Sequence, residues 1–506
     1  MNTDENSYDV VVIGSGIGGM VCAATLSREG YHVCLIEKNS SFGGCVQSFS
    51  RKGVLIDTGV HYVGGLSENE PLYQIFKYNR VLDKIKLLRM DDDAFETLHI
   101  QDKVYQYAMG YERIQEGLSR YFPGHSSEIK AFTDLIRTVG SKLSIENFQK
   151  GIIDDGDRTY MQIPASKVVE ETLSDELVRT VCSGNTTILA GEYDSTPIYH
   201  IGMVRHSNIT GCYKLIDGSQ QLADAYISEI INNGGTVLKS SKVVRISVDD
   251  GKVSGVEMEN GRFIKANYVI SSIHPVETFR ILEKTECIRK SYITRINLLD
   301  NSCGLFTVYL LMKPNEFPLL NSCHLLFPDN RCWVYRDRAT GKCICPNGLM
   351  MSTQPYEQDG KVSPYTKVVS IMKLMDYSEL APYADTIYGR RGNEYKEFKE
   401  RIANAIIHEA ESFFPGLSSK IETVYTSSPL TYRDYTGTFN GSAFGICTNA
   451  KNLMATLIPG RTRLPNLFLT GQSLTVAGIL GTAVTGILTC ANLLGESYLA
   501  KKIAAC

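Results

Sequence analysis

The sequence has no run of basic residues, no Cys-x-x-Cys pair, no internal repeat and no low-complexity tract. Each absence removes a class of function. A formal net charge of −3 supplies no overall pull toward nucleic acid, and with no local basic patch such binding is not expected. Fourteen cysteines are present but scattered; the tightest pair is Cys343-Ile-Cys345, with Cys323 and Cys332 upstream. Zinc sites draw on two close pairs or a Cys/His set, so no metal ligands are assigned. Met1 to Asp9 are polar and acidic, with no basic start and apolar stretch, so no secretory leader is expected. The cysteines are then expected as small buried apolar groups in a reducing, cytoplasmic setting. The most apolar long stretch, Leu474 to Leu494, is about long enough to span a bilayer, but glycine and threonine interrupt it and a buried helix explains it better. Trp333 is the only tryptophan and is expected in core packing.

What is present is an ordinary globular composition, 43% apolar and 21% charged, in a chain of 506 residues. That length is too great for one core, so two domains are expected.

The first sixty residues carry the clearest chemistry. Asp9-Val-Val-Val-Ile13 is a continuous β-branched run, the pattern of a strand buried on both faces of a parallel sheet. Gly14-Ser-Gly16-Ile-Gly18-Gly19 follows at once, Met20 to Glu29 has a helical pattern, and Tyr31 to Ile36 is a second strand ending at Glu37. Gly14 permits the tight turn, Gly16 lets the backbone approach a pyrophosphate, and Gly19 lets helix and strand pack closely. The helix N-terminus offers free N–H groups and partial positive charge to the phosphates. Glu37 stands where an acidic residue hydrogen-bonds ribose hydroxyls. A lone Gly-x-Gly-x-x-Gly is weak evidence; strand, turn, helix, second strand and acidic end in register are not.

Phe42-Gly43-Gly44 follows, and then Ser48, Gly53, Asp57, Gly59 and His61. The stretch from Glu37 to Gly65 resembles the amine oxidase and phytoene desaturase superfamily. That resemblance implies FAD as the cofactor, with the double glycine running along its phosphates and Val60 and His61 near the isoalloxazine. A second segment, Asp217 to Ser271, has a helix opening at Asp217, strands at Thr236, Val243, Val253 and Lys265, and hairpin turns at Asp249-Asp-Gly251 and Asn260-Gly261. In the superfamily this segment returns the chain to the cofactor domain, with Val243 beside the adenine. The third segment, Leu467 to Ser473 followed by the glycine-rich helix from Gly478, would place a helix N-terminus at the flavin. An acidic residue is common in the superfamily at Ser473; a hydroxyl there forgoes a charge-assisted bond worth about 1.5–3 kcal/mol.

The likeness sharpens at Asp57-Thr-Gly-Val-His-Tyr-Val-Gly64, at Ser428-Pro-Leu-Thr-Tyr-Arg-Asp-Tyr-Thr-Gly437 and at Gly441-Ser-Ala-Phe-Gly445. These blocks resemble the retinol saturase and carotenoid isomerase branch of the phytoene desaturase family. The expected fold is α/β, a Rossmann-type FAD-binding domain with an inserted mixed α+β substrate domain. The expected division is FAD-binding segments at 1–82, 201–274 and 426–506, and substrate-domain segments at 83–200 and 275–425. The expected activity is FAD-dependent saturation of a C=C bond in a conjugated polyene lipid, retinoid or carotenoid-like, by hydride transfer from reduced flavin. Desaturation and cis-trans isomerisation remain open within the family. From other classes, a prenyl-binding protein of the GDP dissociation inhibitor type and an amine oxidase with an aromatic cage also remain.

The expected cofactor contacts are Gly14, Ser15, Gly16, Gly18, Gly19, Glu37 and Lys38, then Gly43, Gly44, Ser48 and Gly59, then Val243, and finally Gly471, Gln472, Ser473, Ile479 and Leu480. The catalytic candidates are His61, as proton donor or as a wall of the site, Tyr62, and Arg433, as an anchor or as packing. Arg51 and Lys52 could touch phosphates or form a solvated pair. NAD(P)H stays open as an external reductant, although no second glycine motif marks a site for it. The mixed apolar and basic stretch from Tyr73 to Lys86 suits either a peripheral membrane contact or a buried amphipathic helix. Nothing in the sequence bears on the oligomeric state.

Overall fold

Val10, Val11 and Val12 have no exposed surface and sit at the centre of a parallel sheet, as their β-branched run predicts. The computed structural model describes residues 6–143 and 155–506. Residues 1–5, part of the polar start, and 144–154, within the expected segment 83–200, lie outside the described residues.

The sheet gathers strands from three distant stretches. β1 (Ser7–Ile13), α1 (Ile17–Arg28) and β2 (Val33–Ile36) come first. Then α2 (Ile198–Thr210) and α3 (Gln220–Asn232) lead to β3 (Thr236–Leu238), β4 (Val243–Asp249), β5 (Lys252–Met258) and β6 (Phe263–Ser271). Last come β7 (Leu467–Leu469) and α4 (Gly478–Leu494). The strand order is β3-β2-β1-β6-β5-β4, with β7 also on β6. β6 is the hub. One edge runs parallel to β1 from Lys265 to Ser271. The other edge pairs antiparallel with β5 at Phe263 to Lys265, then parallel with β7 at Val269 to Ser271.

The structure moves some expected boundaries for local reasons. α1 starts at Ile17 rather than Met20, because Gly16 already serves as its N-cap and the glycine run forms its first turn. α3 starts at Gln220 rather than Asp217, because Asp217 and Gly218 have φ of +65° and +97°, which no right-handed helix accommodates. The Asp249-Asp-Gly251 hairpin forms as expected, with φ of +45° at Asp250 and +70° at Gly251.

A second seven-stranded sheet draws only on the two long intervening stretches. Its order is Ile421–Ser427, Gly304–Met312, Val368–Met375, Leu349–Thr353, Cys323–Phe327, Glu96–Ile100, Lys103–Tyr107. One face, including Phe306, Val308, Met351 and Ile371, packs with Tyr395, Ala403, Ile406 and Ala410 of the helix Gly392–Phe413.

The helix Pro71–Tyr78 buries Leu72, Ile75, Phe76 and Tyr78 in the core shared with α4, so its apolar side is not available to a membrane. α4 is a core helix too: the Cys22 thiol donates to the Gly486 carbonyl at 3.3 Å, and a Cβ on Gly486 would meet Val21 at 2.9 Å. Among the described residues no helix is long and apolar enough to cross a membrane. Nine of the fourteen cysteines are buried and none is in a disulfide. Trp333 is buried, edge-on to Tyr193 with ring centres 6.0 Å apart.

Candidate functional site

Glu37 beyond β2, Val243 at the start of β4 and Gly471 beyond β7 line one cavity of about 790 Å³. It lies at the carboxyl ends of the parallel strands, where ligands bind in open α/β sheets.

The glycines of the first turn divide by what a side chain would strike. A Cβ on Gly19 would lie 2.1 Å from the Gly14 carbonyl oxygen, so this glycine serves the packing of α1 on the turn. A Cβ on Gly18 would lie 3.1 Å from the Gly471 amide, so this one lets the third segment close in. A Cβ on Gly16 would meet only the Ser272 hydroxyl, at 3.8 Å. Nothing in the chain requires glycine at 16, and the free space opens on the cavity at the N-terminus of α1. A bound pyrophosphate supplies the missing reason.

Ser15 ties this turn together. Its amide and hydroxyl both donate to one oxygen of the buried Glu37 carboxylate, at 3.0 and 2.6 Å. The other oxygen accepts from the Asn39 amide at 2.9 Å, and the Ser15 hydroxyl accepts from the Gly43 amide at 3.1 Å. Glu37 is thereby fixed at the cavity edge, and the double glycine is drawn over the first turn. Gly43, Gly44 and Gly59 line the cavity, as does Lys38, whose ammonium donates to the Asp434 carbonyl at 3.2 Å.

Two of the expected contacts, Gly19 and Ser48, are not in the cavity wall. Ser48 donates to Asp57 at 2.6 Å and accepts from the Gln220 amide at 3.2 Å. The same Asp57 oxygen accepts from the Ser219 amide and hydroxyl, at 2.7 and 2.9 Å. Burial pushes the Asp57 carboxyl up despite these bonds. The group stitches the first cofactor segment to the start of α3. Arg51 and Lys52 are surface residues: Arg51 donates to its neighbour Ser50, and Lys52 pairs with Glu422 at 2.9 Å.

Gly471, Gln472, Ser473, Ile479 and Leu480 all line the cavity. The Ser473 hydroxyl accepts from the Ile446 amide at 3.3 Å, and a Cβ on Gly445 would lie 2.4 Å from it. The first turn of α4, Gly478 to Gly481, also faces the cavity and aims its free N–H groups there.

His61, Tyr62 and Arg433 reach the wall under different constraints. Burial and the nearby Lys214 ammonium push the His61 imidazole down to about 4, so it is neutral at neutral pH, and its Nε2 has no partner. These surroundings suit a wall of the site rather than an imidazolium acid. Lys214 is itself fully buried and donates to the carbonyls of Leu320, Ser322 and Thr353 at 2.8, 3.1 and 2.9 Å. The Tyr62 ring borders the cavity and packs against the core that holds Leu98, Tyr107 and Leu325, and burial raises its hydroxyl well above the ordinary value. The Arg433 guanidinium is committed to Tyr377 Oη at 3.0 Å, the Ala384 carbonyl at 2.6 Å and Asp434 at 3.0 Å. Tyr432 donates to the Thr58 carbonyl at 3.0 Å and so holds the loop that carries Gly59 to His61.

The description of an NAD(P)-binding Rossmann-like domain matches residues 12–78. An all-trans-retinol 13,14-reductase of Danio rerio is 26% identical over 96% of this chain and 86% of its own. A prolycopene isomerase of an Oncidium hybrid cultivar is 24% identical over 99% of this chain and 86% of its own. Over nearly its full length the chain fits the retinol saturase and carotenoid isomerase family. The similarity extends through the stretches between the cofactor motifs, where local motifs are sparse. A solved putrescine oxidase shares the fold, with a TM-score of 0.65 over 96% of this chain and 99% of its own at 13% identity.

The wall also includes residues that motif reasoning missed. Ser272, Ile273 and His274 leave the end of β6 directly into it. Their position after a β-branched strand parallel to β1 was the available signal. The same wall carries the apolar side chains of Ile188, Met203 of α2, Leu305, Met350 and Met372. Its members are single positions on strands and helices far apart in the chain, and no local pattern marks them.

Proposed function

We propose that this cavity holds FAD and that the chain is a flavoenzyme acting on a carbon–carbon double bond of a conjugated polyene, with saturation as its direction. The observation that carries the proposal is the presence, in the wall of one cavity, of the Glu37, Val243 and Gly471 cradle and of apolar side chains from the second sheet, Leu305, Met350 and Met372. The cradle residues take the two halves of a dinucleotide: α1 and Gly16 the pyrophosphate, Glu37 a ribose, and the α4 N-terminus the electron-rich end of a flavin. A bound flavin supplies two-electron hydride exchange. The chain's residues orient the polyene, exclude water and hold His61 neutral beside it. Burial of the polyene contributes about 0.8 kcal/mol per methylene-sized unit, so few polar contacts are needed.

The same argument divides the chain at 1–82, 201–274 and 426–506 for the cofactor domain, with 83–200 and 275–425 over it as the substrate domain. Fourteen unpaired thiols suit a reducing compartment such as the cytoplasm. Isomerisation is the second reading, favoured by the near-complete match to the Oncidium isomerase, named for prolycopene.

The test is anaerobic mixing of the photoreduced protein with retinol and with cis and trans carotenes. Reoxidation of the flavin with loss of one conjugated bond is the expected result. A change of polyene geometry with no net flavin oxidation selects isomerisation. A polyene oxidised by the oxidised protein selects desaturation, and inert mixtures throughout overturn the proposal.

A further inference from the structure

Met350 and Met372 are paired in register on neighbouring strands of the second sheet, and both line the cavity. Side chains alternate between the faces of a strand. Leu349, Met351 and Ile371, beside them in sequence, accordingly belong to the opposite face, in the core under the helix Gly392–Phe413. A third methionine, Met203 of α2, lines the same cavity.

Sheet positions that pack on apolar partners usually carry β-branched or aromatic side chains, which are stiff. This sheet carries both stiff residues and methionines elsewhere, with Val368, Val369 and Ile371 beside Met312, Met351 and Met375, the methionines there lying in the core under the helix. At the cavity it carries methionine, which is unbranched, has three rotatable side-chain bonds and fills irregular spaces. A conjugated polyene is the opposite kind of body. Its double bonds hold it rigid, and its trans and cis isomers differ in shape while sharing composition and apolar area. One chamber takes two rigid shapes only if its wall yields.

We propose that Met350 and Met372, together with Met203, are the specificity-determining residues of the chamber, and that their pliancy lets it hold both extended and bent isomers of a polyene. This inference rests on the polyene reading above and adds how substrate shape is selected. The methionines take no part in bond making; they set which isomers reach the site.

Leucine is close to methionine in volume but is branched and stiffer, so it separates pliancy from space filling. The experiment measures equilibrium binding of all-trans-retinol and of a cis-retinol to the flavin-loaded protein by quenching of retinol fluorescence, without turnover. The wild type is expected to bind both isomers with Kd values within roughly tenfold of each other, and Met350→Leu/Met372→Leu to shift that ratio by roughly tenfold or more. Met350→Leu alone carries the test if the double variant does not accumulate with flavin. A ratio unchanged by leucine overturns the inference and leaves the polyene reading standing, as does a wild type that binds a single isomer. A wild type that binds neither isomer contradicts both.

Discussion

Ser15 donates twice to one oxygen of Glu37, from its amide at 3.0 Å and from its hydroxyl at 2.6 Å. Glutamine at this position has one carbonyl oxygen for the three donors now served, and its amide turns a donor toward Ser15 or Asn39. Leaving a buried donor unpaired costs about 1–3 kcal/mol. Glu37→Gln is therefore expected to lower the thermal midpoint and to release the dinucleotide on gel filtration. A variant that keeps both stability and cofactor would show that the carboxylate has neither role.

Gly16 and Gly19 stand three residues apart and should fail differently. Gly19→Ala drives a methyl into the Gly14 carbonyl, 2.1 Å away, and should destabilise even the cofactor-free protein by about 1–3 kcal/mol. Gly16→Val projects into space that the chain leaves open. Its cofactor-free form should lose about 1 kcal/mol, the N-cap preference for glycine over valine. The same variant should lose flavin. Paired urea titrations, with and without added FAD, check both expectations.

Acid should unfold this protein through its histidines. Burial pushes His61, His200, His206 and His274 down to about 4, and His324 down to about 3, with the Lys214 charge adding to the effect on His61 and His324. In the unfolded chain imidazoles take up protons near pH 6.5. Between there and about pH 4 the unfolded state binds more protons, so stability falls as pH falls, by up to roughly 1.4 kcal/mol per pH unit for each histidine. Glu96 opposes this. Burial raises its carboxyl to about 7, so its contribution is lost as pH rises through that value. Asp57, Glu70, Glu379 and Glu409 are also raised by burial and act with Glu96, while hydrogen bonds lower Asp134, Asp329, Asp337 and Glu411, which act with the five imidazoles. The urea midpoint should drop steeply below pH 6.5, and proton NMR should find no His61 titration between pH 5.5 and 8.

Arg433 should prove structural. Its guanidinium is shared among Tyr377, Ala384 and Asp434, and Arg391 also pairs with Asp434. Arg433→Ala should cost about 1–3 kcal/mol in unfolding free energy, the range for unsatisfied buried partners, with flavin content unchanged. Loss of flavin at unchanged stability would instead make Arg433 a cofactor anchor.

How much of this was legible in the sequence depends on the range of the interactions. The strand–turn–helix–strand unit from Asp9 to Glu37 is local, so its glycines and acidic end could be assigned one by one. The hairpins at Asp250 and Asn260 were equally local. α3 begins three residues later than its pattern suggests because Asp217 is held left-handed by tertiary bonds, its amide donating to the Pro355 carbonyl and its carboxylate accepting from the Glu357 amide, which spacing does not reveal. Ser48 looked like a cofactor contact and is a tie to Asp57 and Gln220, since a serine beside a glycine pair has the same appearance in either role. The second sheet pairs Glu96–Ile100 with Cys323–Phe327 across more than two hundred residues, and only the assembled fold brings Met203, Met350 and Met372 to one cavity.

The central claim is that three distant stretches enclose one flavin. Its most direct test is the absorption spectrum of the purified, FAD-reconstituted protein, with the acid-released cofactor identified by mass spectrometry. The account predicts a flavin band and one FAD per chain. A colourless protein that releases only a nicotinamide dinucleotide, or nothing, would contradict it.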